Sequence, residues 1–223
     1  MWHDVQLVIF DCDGVLVDSL SIACGVLAQM LTDEGLPMTL MEARRDYQEL
    51  LLAEVVTRVE AKLGRTLPPD WLDRYERGRA DAFRRELRAV PGAAQATRRI
   101  KAAGIEVCVA SQGKLSKTSL SLALTGLDGI FPETVRFSAY SVAKGKPAPD
   151  LFLHAAASMG IEPAGCIVVE DTPSGVTAAV AANMRVLGYA ADSDEQALRD
   201  AGATAILRSL DELPKLACAD GRV

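Results

Sequence analysis

Val5-Gln6-Leu7-Val8-Ile9-Phe10-Asp11-Cys12-Asp13-Gly14 is a nearly apolar run that ends abruptly in two carboxylates and a glycine. A short run of this kind, rich in branched aliphatic side chains, reads as a strand covered on both faces, as in a parallel sheet. Comparable runs follow at 105–110, 166–169 and 184–189, with a weaker one at 204–207. The intervening segments 92–103, 149–159 and 174–182 are rich in Ala and Leu and long enough for helices. Strand and helix alternating in this way predict an α/β core with a doubly wound, Rossmann-like, mostly parallel sheet.

The alternation breaks once. About 95 residues separate the first run from the second, far more than a single crossover helix needs. Segment 20–87 shows helical periodicity, with breaks at Gly35-Leu36-Pro37 and at Gly64-Arg65-Thr66-Leu67-Pro68-Pro69. The expected organisation is therefore an α/β core from residues 1–19 and 88–223, with an all-helical domain, 20–87, inserted after the first strand. The mixed charges of Glu76-Arg77-Gly78-Arg79-Ala80-Asp81 suit a solvated helix face. Residues 217–223 are expected to fray.

Composition narrows the chemistry. The chain has 223 residues, 49% of them hydrophobic, which is ordinary for a globular protein and excludes a disordered chain. A formal charge of −6 argues against a nucleic-acid partner. His3 and His154 are too few for a histidine cage, so any ion should be a hard one held by carboxylates. Five scattered cysteines without a C-x-x-C pair point to a reducing compartment. With no signal-peptide start and no apolar run near the roughly 20 residues a membrane helix needs, a cytoplasmic protein without a membrane partner is expected.

In open α/β sheets ligands bind beyond the carboxyl ends of the strands, so the residues that follow the apolar runs matter most, together with the segment 144–150 just ahead of a helix. They are Asp11-Cys12-Asp13-Gly14, Ser111-Gln112-Gly113, Lys144-Gly145-Lys146-Pro147-Ala148-Pro149-Asp150 and Glu170-Asp171-Thr172-Pro173-Ser174-Gly175. Asp11, Asp13, Glu170 and Asp171 brought together would repel one another unless a cation neutralised them, and Mg²⁺ suits such oxygen ligands. A phosphate-bearing ligand would give Lys146 and Ser111 a shared task, charge compensation and hydrogen-bond donation. Other phosphate chemistries lack their residues. Neither Gly113-Lys114 nor Gly145-Lys146 has the upstream glycine of a Walker loop, Asp18 stands where a Cys12 thiolate phosphatase would need Arg, and no G-x-S-x-G elbow occurs. A carboxylate is left as the nucleophile.

On the motifs Asp11-Cys12-Asp13-Gly14-Val15-Leu16-Val17-Asp18-Ser19, Gly145-Lys146-Pro147-Ala148-Pro149-Asp150 and Glu170-Asp171-Thr172-Pro173-Ser174-Gly175-Val176, the chain resembles the haloacid dehalogenase-like hydrolase superfamily. The resemblance is to its helical-cap branch of small phosphatases and β-phosphoglucomutase-like enzymes. It implies Asp11 as nucleophile and Asp13 as acid and then base. Mg²⁺ would be held by the Asp11 side chain, the Asp13 carbonyl and Asp171, with Glu170 direct or through water. Ser111 and Lys146 would hold the phosphoryl group, and the cap would close to exclude water. Asp13 argues against dehalogenation, because dehalogenases of the superfamily lack that second acid and the metal.

Two departures stand out. Gln112 replaces the usual Asn after the hydroxyl residue, and Tyr47-Gln48-Glu49 has Glu where relatives often carry Gly. Gln112, Tyr47, Arg44 and Arg45 are the further expected substrate contacts, with Arg58 as another cationic residue of the cap. The expected activity is hydrolysis of a small phosphomonoester, a sugar or sugar-acid phosphate, by a monomer or homodimer. A sugar phosphomutase, and a phospho-accepting regulatory or catalytically silent relative, remain as alternatives.

Overall fold

The structure, a computed structural model, describes residues 4–213. His3, Cys218 and the segment 217–223 lie outside the described residues. The chain forms two compact units, one from the segments up to Val17 and from Ala89 onward, the other Asp18–Arg88.

The first unit is an α/β layer structure. Strand β1 (Leu7–Phe10) opens it, and the helices α1 (Leu20–Asp33), α2 (Leu40–Tyr47), α3 (Leu52–Leu63) and α4 (Trp71–Glu86) of the second unit follow in the chain. The first unit resumes with α5 (Ala93–Ala102), β2 (Glu106–Ser111), α6 (Leu115–Leu124), β3 (Arg136–Ser138) and α7 (Asp150–Ser158). It ends with β4 (Cys166–Glu170), α8 (Pro173–Ala181), β5 (Arg185–Tyr189), α9 (Glu195–Asp200) and β6 (Ala205–Leu207). The strands lie in the order β3-β2-β1-β4-β5-β6, and all their pairings are parallel. The doubly wound sheet read from the apolar runs is the one observed.

Strand β1 is central, and all four of its side chains are fully buried, which explains its unbroken apolar sequence. Leu7 pairs with Glu106 on one side and Cys166 on the other, and Phe10 pairs with Val109 and Val169. This register brings the carboxyl ends of β1, β2 and β4 level. The chain reverses its lateral direction across β1, the position where ligands bind in such sheets.

Some elements of the α/β unit, β3 and α6 among them, carry little sequence signal. β3 is a three-residue edge strand, Arg136-Phe137-Ser138, too short and polar to register as an apolar run. It extends β2 by pairing Ala110 with Phe137 and Ser111 with Ser138, so Ser111 ends the strand instead of following it. Helix α6 was likewise not marked by an Ala/Leu-rich pattern, since it alternates Leu with Ser, Thr and Lys.

The junction with the helical unit is a small antiparallel ladder. Gly14 takes φ +82° in the turn after β1, Val17 bridges Ala89, and the Val90 N–H donates to the Leu16 carbonyl at 2.9 Å. Within the helical unit, Leu27, Leu31, Tyr47, Val55, Val59, Leu67, Trp71 and Tyr75 make the core, with the Trp71 and Tyr75 rings stacked 6.0 Å apart. A Thr39–Glu42 capping box starts α2, and Gly64 at φ +66° stops α3. Among the described residues no helix is long and apolar enough to cross a membrane.

Phe10 packs edge-on against Phe131 at 5.9 Å. Phe10→Ala should therefore lower unfolding stability by about 3–5 kcal/mol, read from urea melts followed by circular dichroism. A loss below about 1 kcal/mol would contradict this packing.

Candidate active site

Asp11 leaves β1 with its N–H bonded to the Val169 carbonyl at 3.0 Å, which fixes it beside the end of β4. Lys146 reaches the same point from the loop before α7. Its ammonium bonds to the Asp11 and Glu170 carboxylates and donates to the Ala110 carbonyl at 3.2 Å. The Phe152 ring lies 5.1 Å below it. Lys146 is only 8% exposed. A buried lysine stays charged only when carboxylates offset the loss of water. Here burial pulls its pKa down, but Asp11 and Glu170 outweigh burial and hold the ammonium above its usual range.

The acidic side of the pocket is crowded. Burial pushes the Asp11 carboxyl up, the Lys146 ammonium pulls it back, and Glu170 and Asp13 push it up again, to about 7. Asp171 is raised well above the usual carboxylate range by burial and then by Glu170 and Asp11. Its Oδ1 is buried without a hydrogen-bond partner, an arrangement that costs free energy until something positive or hydrogen-bearing meets it. Glu170 is committed. One oxygen meets Lys146 and the other accepts from the Thr172 N–H at 3.0 Å and its hydroxyl at 2.9 Å. The carboxylate occupies the space where a Cβ on Gly175 would stand.

The other motif residues complete the rim. Ser111 is fully buried, and its Oγ accepts from the Gly113 N–H at 3.1 Å, which leaves its own O–H as a donor. The Gln112 amide clamps the backbone of Lys146: its Oε1 accepts from the Lys146 N–H at 3.0 Å and its Nε2 donates to the Lys146 carbonyl at 3.5 Å. Its extra methylene relative to Asn supplies reach toward the neighbouring loop. Asp13 is ion-paired with Lys117 of α6, a residue no motif marks. The one available signal is position, a charge one turn into a helix that opens at a strand end.

Arg44, Arg45 and Tyr47 belong to α2 of the helical unit. The Arg44 Nε donates to Gln48 at 3.1 Å, and Arg45 is exposed and paired with Asp46. Arg58 reaches the Asp46 carbonyl at 3.5 Å. Tyr47 is 3% exposed within the helical core, where packing accounts for its ring.

Among the described residues, no three His, Cys, Asp or Glu side chains already surround a common point as metal ligands. The donor set nevertheless suits a hard divalent cation, since burial and then neighbouring carboxylates raise Asp11 and Asp171, and Asp171 Oδ1 is unmatched. Four carboxylates face two ammonium groups, Lys117 and Lys146, which leaves two negative charges if all are ionised. Thiol chemistry is disfavoured, because burial pushes the Cys12 thiol far up.

A Cβ on Gly145 would fall 2.8 Å from the Gln112 amide. Gly145→Ala should displace Gln112, and once it is displaced Gln112→Ala should cost little more. A thermal-melt double-mutant cycle is expected to give a coupling of about 0.5–3 kcal/mol; additive losses would show that the missing side chain at Gly145 is not what admits the Gln112 amide.

Comparison with known proteins places the chain in a family. The family model described as haloacid dehalogenase-like hydrolase matches residues 5–183. The chain is 30% identical to 6-phosphogluconate phosphatase of Escherichia coli over 213 residues, 95% of this chain and 94% of that one. Among solved structures, a haloacid dehalogenase-like protein of unknown function from Agrobacterium tumefaciens superposes with a TM-score of 0.79 at 31% identity, covering 97% and 99% of the two chains. A HAD family hydrolase from Deinococcus radiodurans, with bound phosphate and sodium, gives a TM-score of 0.79 at 30% identity, covering 99% and 98%. The chain belongs to the haloacid dehalogenase-like hydrolase family.

Proposed function

We propose that this chain is a Mg²⁺-dependent phosphatase that hydrolyses a small phosphomonoester, a sugar or sugar-acid phosphate, through an aspartyl-phosphate on Asp11. The observation that carries this reading is the buried ammonium of Lys146 shared between Asp11 and Glu170, beside the unmatched oxygen of Asp171. It is a site poised for an anion that brings its own cation. The phosphate held by the Deinococcus relative and the phosphomonoester named for the Escherichia coli relative support the substrate class.

In the first step an Asp11 carboxylate oxygen bonds to phosphorus as the bond to the leaving oxygen breaks, and Asp13 gives that oxygen a proton. In the second, Asp13 takes a proton from water, whose oxygen attacks phosphorus and releases phosphate, regenerating the Asp11 carboxylate. Lys146 and the Ser111 hydroxyl hold the phosphoryl oxygens in both steps. Asp11, the Asp13 carbonyl and Asp171 would hold the divalent cation, which supplies charge neutralisation for carboxylates and phosphoryl group together. Glu170, with both oxygens engaged, orients Lys146.

A phosphate-release screen over phosphorylated sugars and sugar acids should show turnover with Mg²⁺ and none with chelator. Release without an added sugar bisphosphate would separate hydrolysis from mutase chemistry. Asp11→Asn should cut turnover by at least about 10³-fold while leaving the fold intact, and near-normal release by that variant would refute the assignment.

The raised carboxyls also set a pH dependence. Burial and neighbouring carboxylates raise both Asp11, to about 7, and Asp171, so a cation binding them competes with protons. Mg²⁺ affinity should therefore fall as pH drops through about 7, with proton release visible by calorimetry in buffers of different ionisation enthalpy. An affinity constant between about pH 6 and about pH 8 would contradict it.

A further inference from the structure

Lys117 is, with Lys146, one of two buried lysines among the described residues, and is 9% exposed. It lies in the first turn of α6, whose other residues, Leu115-Ser116 and Thr118 to Leu124, carry no charge. Its ammonium is paired with Asp13. Burying a lysine is costly, and a well-packed apolar residue usually serves stability as well or better. What this position retains is therefore a cation in contact with Asp13.

The surroundings show where that contact is held. A Cβ on Gly113 would lie 3.2 Å from Lys117 Cδ, 3.7 Å from its Nζ and 3.5 Å from Ser111 Oγ. The lysine stem thus runs along the face of Gly113 that lacks a side chain, and its ammonium ends beside the turn that carries Ser111. The Asp13 side chain is 23% exposed against 8% for Lys117, so the carboxylate at the mouth is tied to an anchor in the interior.

We propose that Lys117 is a positioning residue: it fixes the Asp13 carboxylate against the 111–113 turn, on the side of the pocket where Ser111 meets the phosphoryl group. The inference rests on the reading of Asp13 as the acid and base given above. An untethered carboxylate would sample several side-chain orientations, and acid–base catalysis depends on the reacting groups being within hydrogen-bond reach. The defect should therefore appear in the steps that Asp13 serves and not in substrate capture.

The test compares wild type with Lys117→Met, which keeps the apolar stem and removes the charge, and Lys117→Arg, which restores a cation. The probes are ³²P-labelled p-nitrophenyl phosphate, whose leaving group needs little protonation, and 6-phosphogluconate. In Lys117→Met, kcat for 6-phosphogluconate should fall about tenfold or more with KM nearly unchanged. During p-nitrophenyl phosphate turnover, acid quenching should trap more labelled phosphoenzyme than in wild type, because its hydrolysis needs the Asp13 base. Lys117→Arg should recover part of both losses.

Wild-type kcat and no extra phosphoenzyme in Lys117→Met would overturn the inference while leaving the phosphatase reading standing. A raised KM at unchanged kcat would also overturn it, by making Lys117 a substrate-binding residue. If Lys117→Met does not fold, Lys117→Gln takes its place with the same outcomes. A wild-type chain that neither forms a phosphoenzyme nor releases phosphate overturns the phosphatase reading, and this inference with it.

Discussion

A lysine ammonium sealed among carboxylates is the constraint around which the α/β unit is arranged. Lys146 retains its charge only because Asp11 and Glu170 touch it, and each is delivered by a different strand. That meeting depends on the register of β1 against β4, where Phe10 lies level with Val169. Shifting either strand by one residue would turn the carboxylate to the opposite face of the sheet and leave a buried cation unmatched, a fault worth several kcal/mol. Packing in the sheet and chemistry at its rim therefore select for the same alignment.

The supports around this contact are equally specific. Thr172 holds the second oxygen of Glu170 while its hydroxyl also accepts from the Gly175 N–H at 3.1 Å to cap α8. One side chain thus starts a helix and aims an acid. Gln112 does the corresponding work for Lys146 from the other side, gripping its backbone from 34 residues away in the chain. Asp11, Ser111 and Glu170 sit at strand ends and Lys146 on a loop held by Gln112, so these neighbours limit the rotational freedom that remains.

How much of this the sequence discloses depends on the range of the interaction. Asp11, Asp13, Ser111, Lys146, Glu170 and Asp171 are legible because each follows or ends an apolar run, or lies between Gly and Pro, within a local pattern. β3 is not, because three residues at a sheet edge have no periodicity to display. The task of Gln112 is not, because the atoms it grips are set by tertiary folding. Lys117 is the hardest to foresee, since a lysine on a helix ordinarily faces water and only the path along Gly113 carries it inward. Tyr47 shows a different limit: its triplet does not disclose that the ring packs into the core of the helical unit.

The ladder joining residues 16–17 to 89–90 has a consequence for how such a chain can diversify. Because the polypeptide departs and returns at adjacent points, the 71 residues of Asp18–Arg88 form a detour that leaves the strand register of the first unit unbroken. An insertion with closely spaced termini can be lengthened, shortened or replaced at modest entropic cost. New loops and helices can then be tried in the detour while the strand-end carboxylates stay where they are.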